Sequence, residues 1–186
     1  MKLQSNLIAP LFKEKDIYGR MIDLEEYRDK KVLVAFFRHA GCPFCNIRVH
    51  NLLKVYPQLK AQGLEMIFFF ESKEKVLLSS IFHKEISPIP LIADPEKKWY
   101  EAYGLEQSGY KVAISHIQTF VQTAFKASSL GLPVHLMESG ESIKTLPAEF
   151  LLEEGLLIKE VHYSERLTDR MSVDKIQAFA AQTSLV

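Results

Sequence analysis

The sequence carries 2 cysteines in 186 residues, and they stand together in Cys42-Pro43-Phe44-Cys45. The thiolate is the nucleophilic form of cysteine, and two thiols one helical turn apart are close enough to form a disulfide. The pair therefore predicts a dithiol–disulfide cycle in which one sulfur attacks a disulfide or peroxide bond and the other resolves the product. Two other uses stay open. The cysteines can be packed small hydrophobes without reactivity, which makes the chain a non-catalytic binding module. They can also be part of a metal site with His39 and His50, but zinc sites of this kind usually bring a second, similarly spaced pair, which this chain lacks. Neither a metal nor a cofactor is expected.

Val32 to Phe37 is an apolar run of strand length, followed by the corner Arg38-His39-Ala40-Gly41 and then by helical periodicity. The cysteines thus sit where a buried strand turns into a helix. Pro43 suits the first helical position, which makes Cys42 the N-cap and places Cys45 in the first turn. Unpaired N–H groups and the positive end of the peptide dipoles favour an anion there. A thiol of pKa about 8.5 is only about 3 % ionised at pH 7, and the dipole lowers that pKa by less than about one unit, so hydrogen bonds or a cation must do the rest. Arg48, one turn after Cys45, leans back toward the sulfurs and is equally suited to pairing with a carboxylate. Arg38 is a second candidate from the loop side. As N-cap, Cys42 faces more unpaired N–H groups and is expected to attack disulfide substrates, with Cys45 resolving.

Lys and Arg balance Asp and Glu at 23 each, so no long-range field gathers nucleic acid or an anionic membrane. The N-terminal residues lack the apolar run of a signal peptide, and no uncharged run reaches the length of a membrane span. A cytoplasmic protein is expected, with an external thiol reductant and no membrane or nucleic-acid partner. In a reducing compartment a cysteine pair is a redox couple or a metal site more readily than a permanent staple. At 47 % hydrophobic residues, the chain can bury one full core, so residues 1–186 read as a single domain.

Along the chain, Ser5 to Arg28 reads as an N-terminal extension, with a hairpin, laid across the sheet. Pro43 to about Gln62 is a helix that Pro57 should kink. Leu64 to Phe70 is a doubly buried strand, parallel to the first. Ser72 is positioned to cap a helix through Leu78, Leu91 to Asp94 is a short strand, and Pro95 to Tyr103 is a helix stopped by Gly104. Between Tyr110 and Ser128, Ile114, Ile117, Phe120, Val121, Ala124 and Phe125 fill an arc of about 140° on a helix, somewhat wider than a surface helix needs. That face should pack on the core, cover the active-site side or meet a second subunit, so a homodimer is among the expected arrangements. Phe150-Leu151-Leu152 and Leu156 to Val161 flank the turn at Glu153-Glu154-Gly155 as a hairpin, and Ser172 to Thr183 closes the chain as a helix.

The runs Val34 to Cys45, Pro90 to Pro95 with Tyr103-Gly104-Leu105, and Leu146 to Leu152 resemble those of the peroxiredoxin-like AhpC/TSA (alkyl hydroperoxide reductase, thiol-specific antioxidant) family. The resemblance implies an α/β, thioredoxin-like three-layer fold: a central mixed β-sheet flanked by helices, with the N-terminal extension and a helical insertion at about 105–146 before the C-terminal hairpin. It implies an antioxidant thiol oxidoreductase acting on protein disulfides or hydroperoxides, and a cis proline, Pro147, facing the cysteines. Cys42 stands where peroxiredoxins carry threonine or serine, three residues before the peroxide-attacking cysteine. For peroxides the resemblance therefore gives the attack to Cys45, whereas thioredoxins use the first cysteine of the pair.

Overall fold

The structure, a computed structural model, describes residues 1–107, 120–135, 141–142 and 144–182. Its organising element is β3 (Lys31–Phe36), every residue of which is buried. It pairs in parallel with β4 (Leu64–Phe70), which pairs in parallel with β5 (Leu91–Ala93). On its other side it pairs antiparallel with β6 (Ala148–Glu153), which continues antiparallel into β7 (Leu157–Tyr163). The order β5-β4-β3-β6-β7 is the expected mixed sheet, and helices cover it.

Alternation along β3 separates two cores. Leu33 and Ala35, with Phe37 just beyond the strand, face α1 (Pro43–Ala61) and α6 (Val173–Ala181), meeting Val49, Leu52, Leu59 and Ile176. Val32, Val34 and Phe36 face the other way, toward Phe69, Phe150 and Tyr103. There Phe36 stacks on Phe69 with centroids 4.6 Å apart, and Tyr103 tilts against it at 4.8 Å. Both faces are sealed, which is why the strands read as unbroken apolar runs.

The N-terminal segment crosses this second face from one sheet edge to the other. Ile8 bridges to Leu157 beside β7, and the Ile17 N–H donates to the Leu91 carbonyl at β5. Between them Phe12 lies edge-on to Phe69, and β1 (Lys13–Lys15) and β2 (Met21–Asp23) form the expected hairpin.

Several local expectations are corrected. The Leu146–Pro147 bond is trans; the cis peptide among the described residues is Ser87–Pro88. Ser72 does not cap α2 (Glu74–Ser79), whose N-cap is Lys73; its hydroxyl is engaged by Ala40 and Glu141 instead. Ser80 caps α3 (Ile81–Lys84), and α4 is only Lys98–Ala102, with the Asp94 carboxylate accepting the N–H groups of Lys98 and Trp99. Helix α1 continues through Pro57, which lies inside it.

The expected insertion lies partly outside the described residues, as do Ile114 and Ile117. Its described portion includes α5, residues 120–129. This helix buries Ala127 and leaves Val121 and Phe125 at 79 % and 78 % exposure, so these members of the apolar face do not pack on the chain's own core. Phe120 reaches toward the site, its ring 6.3 Å from that of Phe44.

His83 sits wholly buried in α3, both ring nitrogens without a hydrogen-bond partner among the described residues, edge-on to Phe70 and Phe82. Burial, helped by His135, lowers its pKa to about 3. The folded state thus refuses a proton that the unfolded chain accepts near pH 6.5. Stability from this group is complete above pH 6.5 and is lost as pH falls toward 3, at up to about 1.4 kcal/mol per pH unit. His83→Phe, which offers a ring to the same aromatic slot, is expected to flatten the fall of Tm between pH 6.5 and 4. Equal slopes in wild type and variant would contradict this.

Candidate active site

The C-terminal end of β3 delivers the chain to a tight corner, and Cys42 ends it as the N-cap of α1, with Pro43 at the first helical position. The corner is held from several sides. The Ser72 hydroxyl accepts the Ala40 N–H (2.7 Å), Asn46 Nδ2 donates to the carbonyls of Ala40 (2.7 Å) and Pro133 (2.8 Å), and the Tyr100 hydroxyl donates to the Phe37 carbonyl (2.5 Å). Glu141 accepts from the Ser72 hydroxyl and lies 3.8 Å from His39 Nδ1. His135 packs on Gly41 so closely that a Cβ there would lie 2.3 Å from the His135 carbonyl oxygen, so only glycine fits.

Both cysteines are free thiols and both are fully buried. The Arg38 backbone N–H points at Cys45 Sγ (3.4 Å), and its guanidinium Nη1 points at Cys42 Sγ (3.6 Å). Arg38 is itself buried, so its charge acts on the sulfurs with little screening by water. The second cation is Arg170, whose Nη2 lies 3.9 Å from Cys45 Sγ.

These neighbours split the two thiols. Burial pushes the Cys42 pKa up, but hydrogen bonds from the Cys45 thiol and backbone N–H, with the charges of Arg38 and Arg170, outweigh it and bring Cys42 well below the ordinary thiol range. Burial pushes Cys45 up, and donating to a Cys42 thiolate pushes it further. Cys42 is thus the more acidic of two coupled thiols, and the acidity belongs to the pair.

The site residues read from the sequence separate here. Cys42, Cys45 and Arg38 come together. Pro147 is buried immediately before β6, its carbonyl accepting the Ser164 N–H, and without the cis geometry the thioredoxin-type groove built on it loses its basis. Arg48 does not reach the sulfurs. Its Nε and Nη2 donate to the two oxygens of Glu149, each at 2.8 Å, in a buried bidentate pair. Arg48 Nη2 also donates to the Met171 carbonyl (2.8 Å), while Glu149 Oε2 accepts the Met171 N–H (3.1 Å). The ion pair grips one residue of the 164–172 loop at both its N–H and its carbonyl, next to the arginine that meets Cys45. Sequence reasoning missed Arg170, which is 125 residues from its sulfur and belongs to no motif.

Comparison with known proteins bears on the family and the fold. The AhpC/TSA family profile matches residues 6–130. The peroxiredoxin Bcp of Escherichia coli K12 is 27 % identical over 103 residues, 55 % of this chain and 65 % of that protein. The thiol-disulfide oxidoreductase ResA of Bacillus anthracis is 24 % identical over 104 residues, 56 % of this chain and 60 % of that protein. The chain therefore spans less than two thirds of the length of these relatives. Among solved structures, the reduced 2-Cys peroxiredoxin of Plasmodium vivax superposes with a TM-score of 0.63 at 16 % identity, covering 95 % of this chain and 79 % of that one. The thiol peroxidase of Chromobacterium violaceum gives 0.63 at 12 % identity, covering 96 % and 87 %. These likenesses establish the thioredoxin-type fold.

Removing one partner of the Arg48–Glu149 pair strands a buried charge, so Glu149→Gln is expected to cost about 3–5 kcal/mol in denaturant unfolding. The double variant Arg48→Met/Glu149→Leu, which removes both charges, should be distinctly more stable than the single one. Equal stability of Glu149→Gln and wild type would show that the pair holds nothing in place.

Proposed function

The chain belongs to the AhpC/TSA family, and from that premise we propose that it is a thiol oxidoreductase cycling Cys42 and Cys45 between dithiol and disulfide. The observation that carries the reading is geometric: the buried Arg38 places its guanidinium 3.6 Å from Cys42 Sγ and its backbone N–H 3.4 Å from Cys45 Sγ, and Arg170 Nη2 lies 3.9 Å from Cys45 Sγ, an arrangement that favours a thiolate on the pair and draws the Cys42 pKa down. A packed, inert pair has no need of two arginines directed at its sulfurs.

With a disulfide substrate, the Cys42 thiolate forms a bond to one substrate sulfur and expels the other as a thiolate. The Cys45 thiol, losing its proton, then attacks Cys42, closes the intramolecular disulfide and releases the second substrate thiol. With a hydroperoxide, the thiolate takes the terminal OH as the O–O bond breaks, leaving a sulfenic acid on Cys42, and the departing alkoxide takes a proton from solvent and leaves as the alcohol. Cys45 then displaces water from the Cys42 sulfenic acid. Either route removes two electrons from the pair, which an external thiol reductant restores. The charge on Cys42 supports this cysteine as the attacking sulfur for both substrates, in place of the role that family resemblance assigns to Cys45 for peroxides. Both sulfurs are covered, so attack begins with local opening around them.

The names of the relatives, peroxiredoxin and thiol-disulfide oxidoreductase, support peroxide and disulfide substrates alike. A cytoplasmic setting, where thiol reductants keep such a pair reduced, fits the same reading. Among the described residues no helix is long and apolar enough to cross a membrane, and no cluster of His, Cys, Asp and Glu is arranged to hold a metal ion.

Stoichiometric hydroperoxide or oxidised dithiol is expected to lower the intact mass by about two units, reversibly with dithiothreitol. With a disulfide substrate, the trapped mixed disulfide should accumulate in Cys45→Ser and not in Cys42→Ser. Persistence of both free thiols after excess oxidant returns the chain to the inert binding-module reading.

A further inference from the structure

Between α1, α5 and the 164–172 loop lies a groove of about 310 Å³. Phe44, Ile47 and Leu167 give it an apolar strip, and three cationic residues line it, Arg48, Lys126 and Arg170. No carboxylate among the described residues does so. The charge of Arg48 is already met by Glu149. Lys126 makes no ion pair with any described residue. Arg170 donates to the Ser164 hydroxyl and the Asp169 carbonyl and approaches Cys45, while its buried Nε has no hydrogen-bond partner among the described residues.

Two cations thus border an apolar strip with no carboxylate of the described residues in the lining to neutralise them, and the inner one approaches the reactive pair. Such a lining concentrates anions by charge and rewards an apolar body by burial. A neutral substrate gains only the second contribution.

We propose that this groove is a binding site for small carboxylate-bearing substrates with a compact apolar body, disulfides or hydroperoxides, whose carboxylate is met by Lys126 at the mouth and Arg170 at the inner end. The assignment rests on the dithiol reading above and adds the substrate class. In the disulfide case Cys42 bonds to one substrate sulfur and expels the other as a thiolate. Cys45 then closes the protein disulfide and expels the second, so the pair loses two electrons and the substrate gains them.

Two disulfide probes separate charge from reactivity: 5,5′-dithiobis(2-nitrobenzoate), which carries carboxylates, and neutral 4,4′-dithiodipyridine. The quantity read is the ratio of their second-order rate constants toward the reduced protein at low ionic strength. Lys126→Glu turns an attraction into a repulsion at a few ångströms through water, and the ratio is expected to fall roughly five- to tenfold, an effect that shrinks in high salt. Lys15→Glu, the same charge change on the exposed N-terminal hairpin, is expected to leave the ratio where it was. Cumene hydroperoxide and its para-carboxylate analogue form a second arm. A parallel loss there supports the groove for peroxides as well, and a loss confined to disulfides supports it as a disulfide site. An unchanged ratio in Lys126→Glu, or an equal fall in Lys15→Glu, overturns the groove and leaves the dithiol reading standing. Failure of wild type to react with either disulfide probe overturns the dithiol reading and the groove with it.

Discussion

The ion pair of Arg48 and Glu149 ties three parts of the molecule that are remote in sequence: α1, strand β6 and the 164–172 loop. Taking two charges out of water costs several kcal/mol per ion, and their attraction recovers that only when geometry is good and the remaining valences are filled. Here both are met. The bidentate fork aligns the groups, and the Met171 peptide takes up one further donor and one further acceptor. An apolar pair of the same volume would serve stability as well. What an apolar pair lacks is direction, and the direction in this case fixes the residue beside the arginine that approaches Cys45.

The same logic governs the thiols. Placed at a helix start without cations, two buried cysteines would both stay protonated, because burial alone pushes thiol pKa values up. The N–H groups of the first turn supply part of the opposing effect, and the positions of Arg38 and Arg170 supply more. The asymmetry arises because Cys42 receives hydrogen bonds from Cys45 while Cys45 donates one. A redox pair and an inert pair therefore differ less in their cysteines than in the cations that the surrounding loops bring to them.

Much of this was legible in the sequence because it is local. The apolar run into Cys42, the proline at the first helical position and the doubly buried Leu64–Phe70 strand define a parallel unit with the pair at its junction, and the structure has that unit. The closing hairpin and the last helix, beginning at Ser172, also follow from residues close to one another. What could not be read is what depends on distance. Arg48 and Glu149 are 101 residues apart, and spacing along one helix points Arg48 at the sulfurs as readily as at a carboxylate. A faint signal existed: Glu149 interrupts an apolar strand and Arg48 lies on a helix with a buried side, so each is a charge at a position that burial makes costly unless it is paired. Ser72 carries the chemistry of a helix cap, but the corner before Cys42 recruits its hydroxyl. Helix α5 shows the opposite failure, since a periodic apolar face does not specify what it will meet.

The central claim is that the pair carries its negative charge on Cys42. Iodoacetamide labelling of the reduced protein from pH 5 to 9, followed by fragmentation of the peptide between Arg38 and Arg48, reports each sulfur separately. Cleavage at the Cys42–Pro43 bond divides the two labels. The account predicts labelling at Cys42 with an apparent midpoint below the roughly 8.5 of an ordinary thiol, and little label on Cys45 over the same range. Labelling of Cys45 first, or both sulfurs titrating as ordinary thiols, would contradict it.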